Sequence, residues 1–147
     1  MTARYLLDTN VVSELMRPRP DAAVLAWLQR QVPSRLYLSS ISVAEIGAGL
    51  ALMPAGERQR GLQAAAARMF AHDFAGRIWS FDMAAAQAYG PILAQRQALG
   101  RPITHADAQI AALAQVHAAL LVTRNVSDFA AIDALSVLNP WQESPHP

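Results

Sequence analysis

The stretch RYLLDTNVVSEL, Arg4–Leu15, decides how the chain is read. Tyr5 to Leu7 form a short apolar run, the mark of a strand buried on both faces. The run stops on a carboxylate, Asp8. Thr9 and Asn10 follow, and then apolar residues fall at helical spacing. A strand that passes into a helix through an acid places that acid where open α/β sheets form their sites. A desolvated Asp needs hydrogen bonds or a cation. Asp8 also fits a cap on the helix that follows.

Downstream the same alternation continues. Strands are predicted at Leu36–Ser40, Arg77–Phe81, Ala119–Thr123 and Leu135–Asn139. Helices are predicted at Ala22–Val32, Ser42–Met53, Glu57–Ala71, Met83–Leu99 and Thr104–His117. Short apolar strands separated by helices imply a central parallel sheet covered on both faces, an α/β fold. The 147 residues suit one domain, spanning 1–147, and no repeat or interdomain linker interrupts them. Three prolines make Asn139–Pro147 an irregular tail.

Composition removes several chemistries. There is no Cys, so disulfides, thiolate metal sites and Cys nucleophiles are excluded. All 12 basic residues are Arg, which excludes a Schiff-base or P-loop lysine. A net charge of +1 gives no support to nucleic-acid binding by bulk charge. No apolar run reaches the ~18 residues a membrane helix needs, and no signal-peptide pattern opens the chain. A cytoplasmic protein without membrane association is the expectation.

The 11 acids sort by position. Glu14, Asp21, Glu57, Asp73, Asp133 and Glu143 fall on predicted surfaces or in loops and read as solvated charges. Asp82 reads as the cap of the helix from Met83. Asp8, Glu45, Asp107 and Asp128 instead fall at strand-to-helix junctions or helix starts, although far apart in sequence. Each has an ordinary alternative. Ser42-x-x-Glu45 matches a capping box, Thr104-x-x-Asp107 is a shorter relative of it, and a first-turn acid complements the helix dipole. Taken together, carboxylates that share one site repel one another, and a divalent cation offsets that repulsion. Oxygen ligands alone suit Mg²⁺ or Mn²⁺. Such a site can activate water for phosphodiester hydrolysis.

The blocks LLDTNVVSEL, SVAEI, HADAQIAALA and VTRNVSDF, in that order and spacing, resemble the PIN domain, and most closely the VapC toxins of the FitB-like branch. The NPW near the end resembles that branch too. The resemblance covers nearly the whole chain. It implies a three-layer α/β domain and a Mg²⁺- or Mn²⁺-dependent endoribonuclease, the toxin of a type II toxin–antitoxin pair. It implies a cognate antitoxin, an RNA substrate, a homodimer, and contact with operator DNA only through the antitoxin. By motif position, Asp8, Glu45 and Asp107 match the family's acids and metal ligands. The fourth catalytic place falls on Asp128, with Asn125 as the other occupant. Thr9, Ser13 and Thr123 are expected to support the acids, and Arg124 to contact phosphate.

Other residues read more plainly. His105 and Asp107 stand two apart and do not share a helix face, which speaks against a ligand pair. His72, His117 and His146 read as ordinary polar positions. Trp27 and Trp79 read as core, and Trp141 lies in the tail. The Ala-rich helices at 42–53 and 62–71 carry broad apolar faces that fit the core, a second protomer or an antitoxin helix. Two other functions remain open at this stage. One is a non-catalytic PIN-like module, its acids serving as caps, that regulates transcription with a DNA-binding partner. The other is a flavodoxin-like phosphate-accepting domain, which lacks the lysine such a domain needs.

Overall fold

Leu6 and Leu7 are both fully buried, and they pack into two different apolar clusters. That is the behaviour of a strand covered on both faces, because successive side chains point to opposite sides. The computed structural model describes residues 2–143, so Ser144–Pro147 of the expected tail, His146 included, lie outside the described residues. Residues 139–143 form turns with no regular element.

Among the described residues, five strands make one all-parallel sheet: β1 (Tyr5–Leu7), β2 (Leu36–Ser39), β3 (Ile78–Trp79), β4 (Leu120–Val122) and β5 (Val137–Leu138). Their spatial order is β3-β2-β1-β4-β5. The chain therefore grows outward from β1 through β2 to β3, then returns to the other side of β1 for β4. This reversal makes the β1/β4 seam the topological switch point. Leu6 pairs with Tyr37 on one side and Leu121 on the other.

Six α-helices among the described residues cover the sheet: α1 (Thr9–Leu15), α2 (Ala22–Gln29), α3 (Ser40–Ala51), α4 (Glu57–Arg68), α5 (Met83–Ala98) and α6 (His105–Val116). On one face Leu7, Leu38 and Val122 pack with Val11, Val12, Trp27, Ile46 and Leu50. On the other, Leu6 and Leu121 pack against Ile92 of α5 and the apolar side of α6, Ile110 to Ala114. Fully burying one such aliphatic side chain contributes about 1.5–3 kcal/mol. The three-layer α/β expectation holds. No described helix is long and apolar enough to cross a membrane.

Several boundaries differ from the sequence reading, each for a local reason. Helix α2 stops at Gln29 rather than Val32, since Pro33 disfavours helical backbone before it. Strand β3 keeps only two residues, because the Phe81 N–H donates to Ser40 Oγ (3.2 Å) rather than to a strand. Helix α4 passes at Met69–Asp73 into a wide π turn that delivers Phe74 to the core. Glu14 corrects the surface reading outright. It is 5% exposed, accepts the Asp21 N–H (2.9 Å) and pairs with Arg17 (3.2 Å). The turn between α1 and α2 folds over it, which local sequence does not encode.

Candidate active site

Asp8 follows β1, and its own N–H donates to the Val122 carbonyl of β4 (2.9 Å). The side chain is 4% exposed. Oδ1 caps α1 by accepting the Thr9 N–H (2.8 Å). Oδ2 accepts from Thr123 Oγ1 (2.7 Å), the residue that ends β4, and more distantly from Asn10 Nδ2 (3.4 Å). The cap expectation and the site expectation thus fall on one carboxylate with two different oxygens. Thr123 Oγ1 also accepts from Asn10 Nδ2 (3.2 Å) and the Asn125 N–H (3.1 Å). Its single proton is therefore committed to Asp8.

Glu45 is held differently. Helix α3 begins at Ser40 and is capped by Ser39, whose Oγ accepts the Ser42 N–H (3.0 Å). The expected Ser42–Glu45 capping box does not form, because strand β2 runs into the helix without a loop and Ser39 takes the cap. Glu45 lies in the second turn, exposed. Thr9 Oγ1 donates to Glu45 Oε1 (2.6 Å), so it must accept from Ser42 Oγ (2.8 Å). Ser42 Oγ in turn accepts from Ser39 Oγ (3.3 Å). Three hydroxyls thus run from the end of β2 to Glu45 with one fixed direction of donation.

Asp107 stands in the first turn of α6. Its N–H donates to Thr104 Oγ1, the helix cap (3.1 Å). Asp128 lies exposed on the turn Val126–Phe129 that follows β4.

The charges act on one another. Burial pushes the Asp8 carboxyl up to about 6, and the charges of Asp107 and Glu45 add to it, against the hydrogen bonds from Thr123 and Thr9. Asp107 is also raised, first by burial and then by Asp128 and Glu45, while Thr104 and the Arg96 charge oppose the rise. Among the described residues the one salt bridge is Arg17–Glu14, so no basic side chain neutralises these four acids. Asp107 and Glu45 thus act on Asp8, and Asp128 and Glu45 on Asp107, which makes these four acids neighbours at the carboxyl end of the sheet.

The donor set is all oxygen, as Mg²⁺ or Mn²⁺ requires. No group of three or more acids or histidines among the described residues converges as a ready-made cage. The arrangement fits a cation that keeps several waters and uses one or two carboxylates directly, the habit of Mg²⁺.

The supporting positions divide. Thr9 and Thr123 hydrogen-bond the acids, as described. Ser13 makes no hydrogen bond to them among the described residues. It lines a cavity of about 320 Å³ between α1, α3 and α4, which also touches Thr9 and Glu45. Asn125 is exposed and reaches the site through its backbone N–H. Arg124 lies over the Trp141 ring, 5.1 Å from its centre, and its N–H donates to Asn10 Oδ1 (3.3 Å). His105 bonds Tyr89 through Nδ1, away from the acids. Trp27 is buried and Trp79 half-buried. Sequence reading passed over Asn10 and Ser39, and saw in Ser42 only a cap. Asn10 offered a signal, a polar residue between a strand-end acid and an apolar helix.

A parallel α/β sheet with carboxylates gathered at its switch point defines the class of domain. Within it, the family model for the PIN domain matches residues 5–135, and the chain belongs to that family. It is 44% identical over 137 residues to the VapC ribonuclease Y4jK of Sinorhizobium fredii, covering 93% of this chain and 97% of that one. It is 40% identical over 138 residues to the toxin FitB of Neisseria gonorrhoeae, covering 94% and 99%. The solved structure of FitAB bound to an IR36 DNA fragment superposes with a TM-score of 0.88 at 39% identity, covering 97% of this chain and 99% of that one.

Proposed function

We infer that this chain is a metal-dependent endoribonuclease and the toxin of a toxin–antitoxin pair. The observation that carries the reading is Asp8. It is a buried carboxylate at the sheet's switch point, raised toward 6 by burial and by Asp107 and Glu45, with no ion-pair partner among the described residues. Relatives named as ribonuclease and toxin across nearly the full length support the same reading.

Asp8 and Asp107 would hold Mg²⁺ or Mn²⁺, with Glu45 completing the site or orienting water. The ion would supply charge stabilisation at the scissile phosphate and a more acidic water. The chain's own residues do the rest. Thr123 and the Thr9 N–H fix both oxygens of Asp8, so its orientation precedes binding. The hydroxyl run through Ser42 and Thr9 occupies Glu45 Oε1 and leaves Oε2 to hold a water or take its proton. Asp128, or Asn125 beside it, adds an oxygen at the rim. Arg124 lies at the edge where an RNA phosphate would pass.

The partner reading follows the same site. The cavity beside Thr9 and Glu45 is mostly apolar with Arg17 and Arg58 among its lining, and a segment of the cognate antitoxin seated there would cover the acids. Contact with operator DNA would then come through that antitoxin, in keeping with the DNA-bound FitAB complex. We place the protein in the cytoplasm, as a single domain over residues 1–147 that acts as a homodimer.

The test uses Asp8→Asn and Asp107→Asn, each purified and assayed for RNA cleavage with Mg²⁺, Mn²⁺ or a chelator. Cleavage should need the metal and should fall in both variants. Undiminished cleavage in both variants sinks the assignment.

A further inference from the structure

Two buried charges stand outside the mechanism, Glu14 and Arg96, and only Glu14 has an ion-pair partner among the described residues. Arg96 sits within α5 and is 4% exposed. No carboxylate lies within ion-pair distance of it among the described residues, and its Nε finds no hydrogen-bond partner. A desolvated guanidinium is costly unless polar groups face it. What Arg96 does meet is backbone. Nη1 donates to the Ala130 carbonyl (2.6 Å) and, at the limit of a hydrogen bond, to the Ser127 carbonyl (3.5 Å). Those two carbonyls flank Asp128.

The segment being held needs holding. Residues 123–136 link β4 to β5 with a single short 3-10 turn. Ala131 and Ala134 both adopt left-handed backbone, which disfavours any side chain with a Cβ. Phe129 and Ile132 anchor the segment in the core. Gln95, next to Arg96, accepts the Asp133 N–H, and Gln115 of α6 donates to the Asp133 carbonyl. The glutamines hold the far end of the segment. Among the described residues, Arg96 is the side chain that hydrogen-bonds the part carrying the acid, beside the Phe129 anchor.

We propose that Arg96 is a positioning residue of the carboxylate site, gripping the backbone on both sides of Asp128 and so fixing where that acid stands beside Asp107. Burial suits this task. A guanidinium closed off from water keeps its donors on the two carbonyls rather than on solvent. Its charge also acts on Asp107 without touching it, opposing the rise of that carboxyl. The inference rests on the nuclease reading of that site.

The test is a double-mutant cycle between Arg96→Met and Asp128→Asn, read in two ways. One readout is Mn²⁺ affinity of the protein alone by calorimetry, with no RNA present. The other is kcat and KM for RNA cleavage. Arg96→Met should weaken Mn²⁺ binding and lower kcat by about 10–100-fold, the range for partners that orient a metal's ligands, with KM for RNA unchanged. In the Asp128→Asn background the same change should add little, because the acid it positions is gone. Arg96→Lys should recover part of the loss, since an ammonium can still reach one carbonyl. It also carries the cycle if Arg96→Met does not fold.

Additive losses in the cycle would overturn the proposal. So would a variant that melts earlier yet binds Mn²⁺ and turns over as the wild type does. Failure of the nuclease reading looks different: no metal-dependent cleavage by any form, with coupling between Arg96 and Asp128 still measurable in Mn²⁺ affinity.

Discussion

Replacing Asp8 by Asn should stabilise the metal-free protein at neutral and alkaline pH, although Asp8 lies at the heart of the site. Burial holds the native carboxyl at about 6, well above the 3.8 of a free aspartate. At about 1.4 kcal/mol per unit, the ionised form burdens the native state by about 3 kcal/mol once the pH is well above 6. The sign follows from proton binding. Between about 3.8 and 6 the native state keeps a proton that the unfolded state has released, so stability falls as pH rises through this window. Below it the burden is absent. Asn removes the charge but presents an amide to Thr123 Oγ1, which already accepts two hydrogen bonds. That mismatch costs about 1–2 kcal/mol.

The net gain is then about 1–2 kcal/mol at pH 8, and at pH 4 the variant should be the less stable form. For a domain of this size each kcal/mol moves Tm by about 2–4 °C. Thermal melts with chelator at both pH values measure the difference. Adding Mn²⁺ at pH 8 should raise Tm for the wild type only, because ligand binding stabilises the state that binds it. A difference in Tm between the two proteins that stays constant from pH 4 to pH 8 would refute the reasoning.

Two further outcomes follow from the geometry. Thr123→Val removes the donor to Asp8 Oδ2 and the acceptor for Asn10 and Asn125, and should lower metal affinity or cleavage by about 10–100-fold while the fold persists. Unchanged Mn²⁺ affinity would show that Asp8 needs no such support. Ala118 adopts left-handed backbone at φ 51° between α6 and β4, so Ala118→Gly should raise stability by about 0.5–1 kcal/mol in urea titrations. A loss of stability would mean that the methyl group contributes more than the conformation costs.

The sheet was legible because its signal is local. YLL, LYLS and LLV are apolar runs too short for helices, and their order with the helices admits few topologies. Asp8 was legible for the same reason, an acid ending a buried strand. Glu45 was found by motif but given the wrong local role. The sequence offered Ser42 as its cap, and only the direct passage of β2 into α3 hands that role to Ser39. Glu14 and Arg96 were opaque. Each is a long charged side chain in a helix, and burial comes from distant segments folding over it: the turn at Asp21 for one, residues 127–130 for the other. No spacing within α1 or α5 records those partners. The ends of β3 were misjudged because an edge strand is cut short by what its neighbour offers, here the Ser40 hydroxyl.

The pairing of β1 with β4 has a consequence in time. Asp8 and Thr123 are 115 residues apart, yet they share the bond that orients the first carboxylate. At a synthesis rate of about 5–20 residues per second, Thr123 is made about 6–23 s after Asp8. Through that interval a nascent chain can pair β1 with β2 but leaves the other edge of β1 open. The hydroxyls of β2 and α1 are present early, whereas the threonine that aims Asp8 arrives only with β4. The cell therefore receives an aimed Asp8 only after this delay, however early β1 itself emerges.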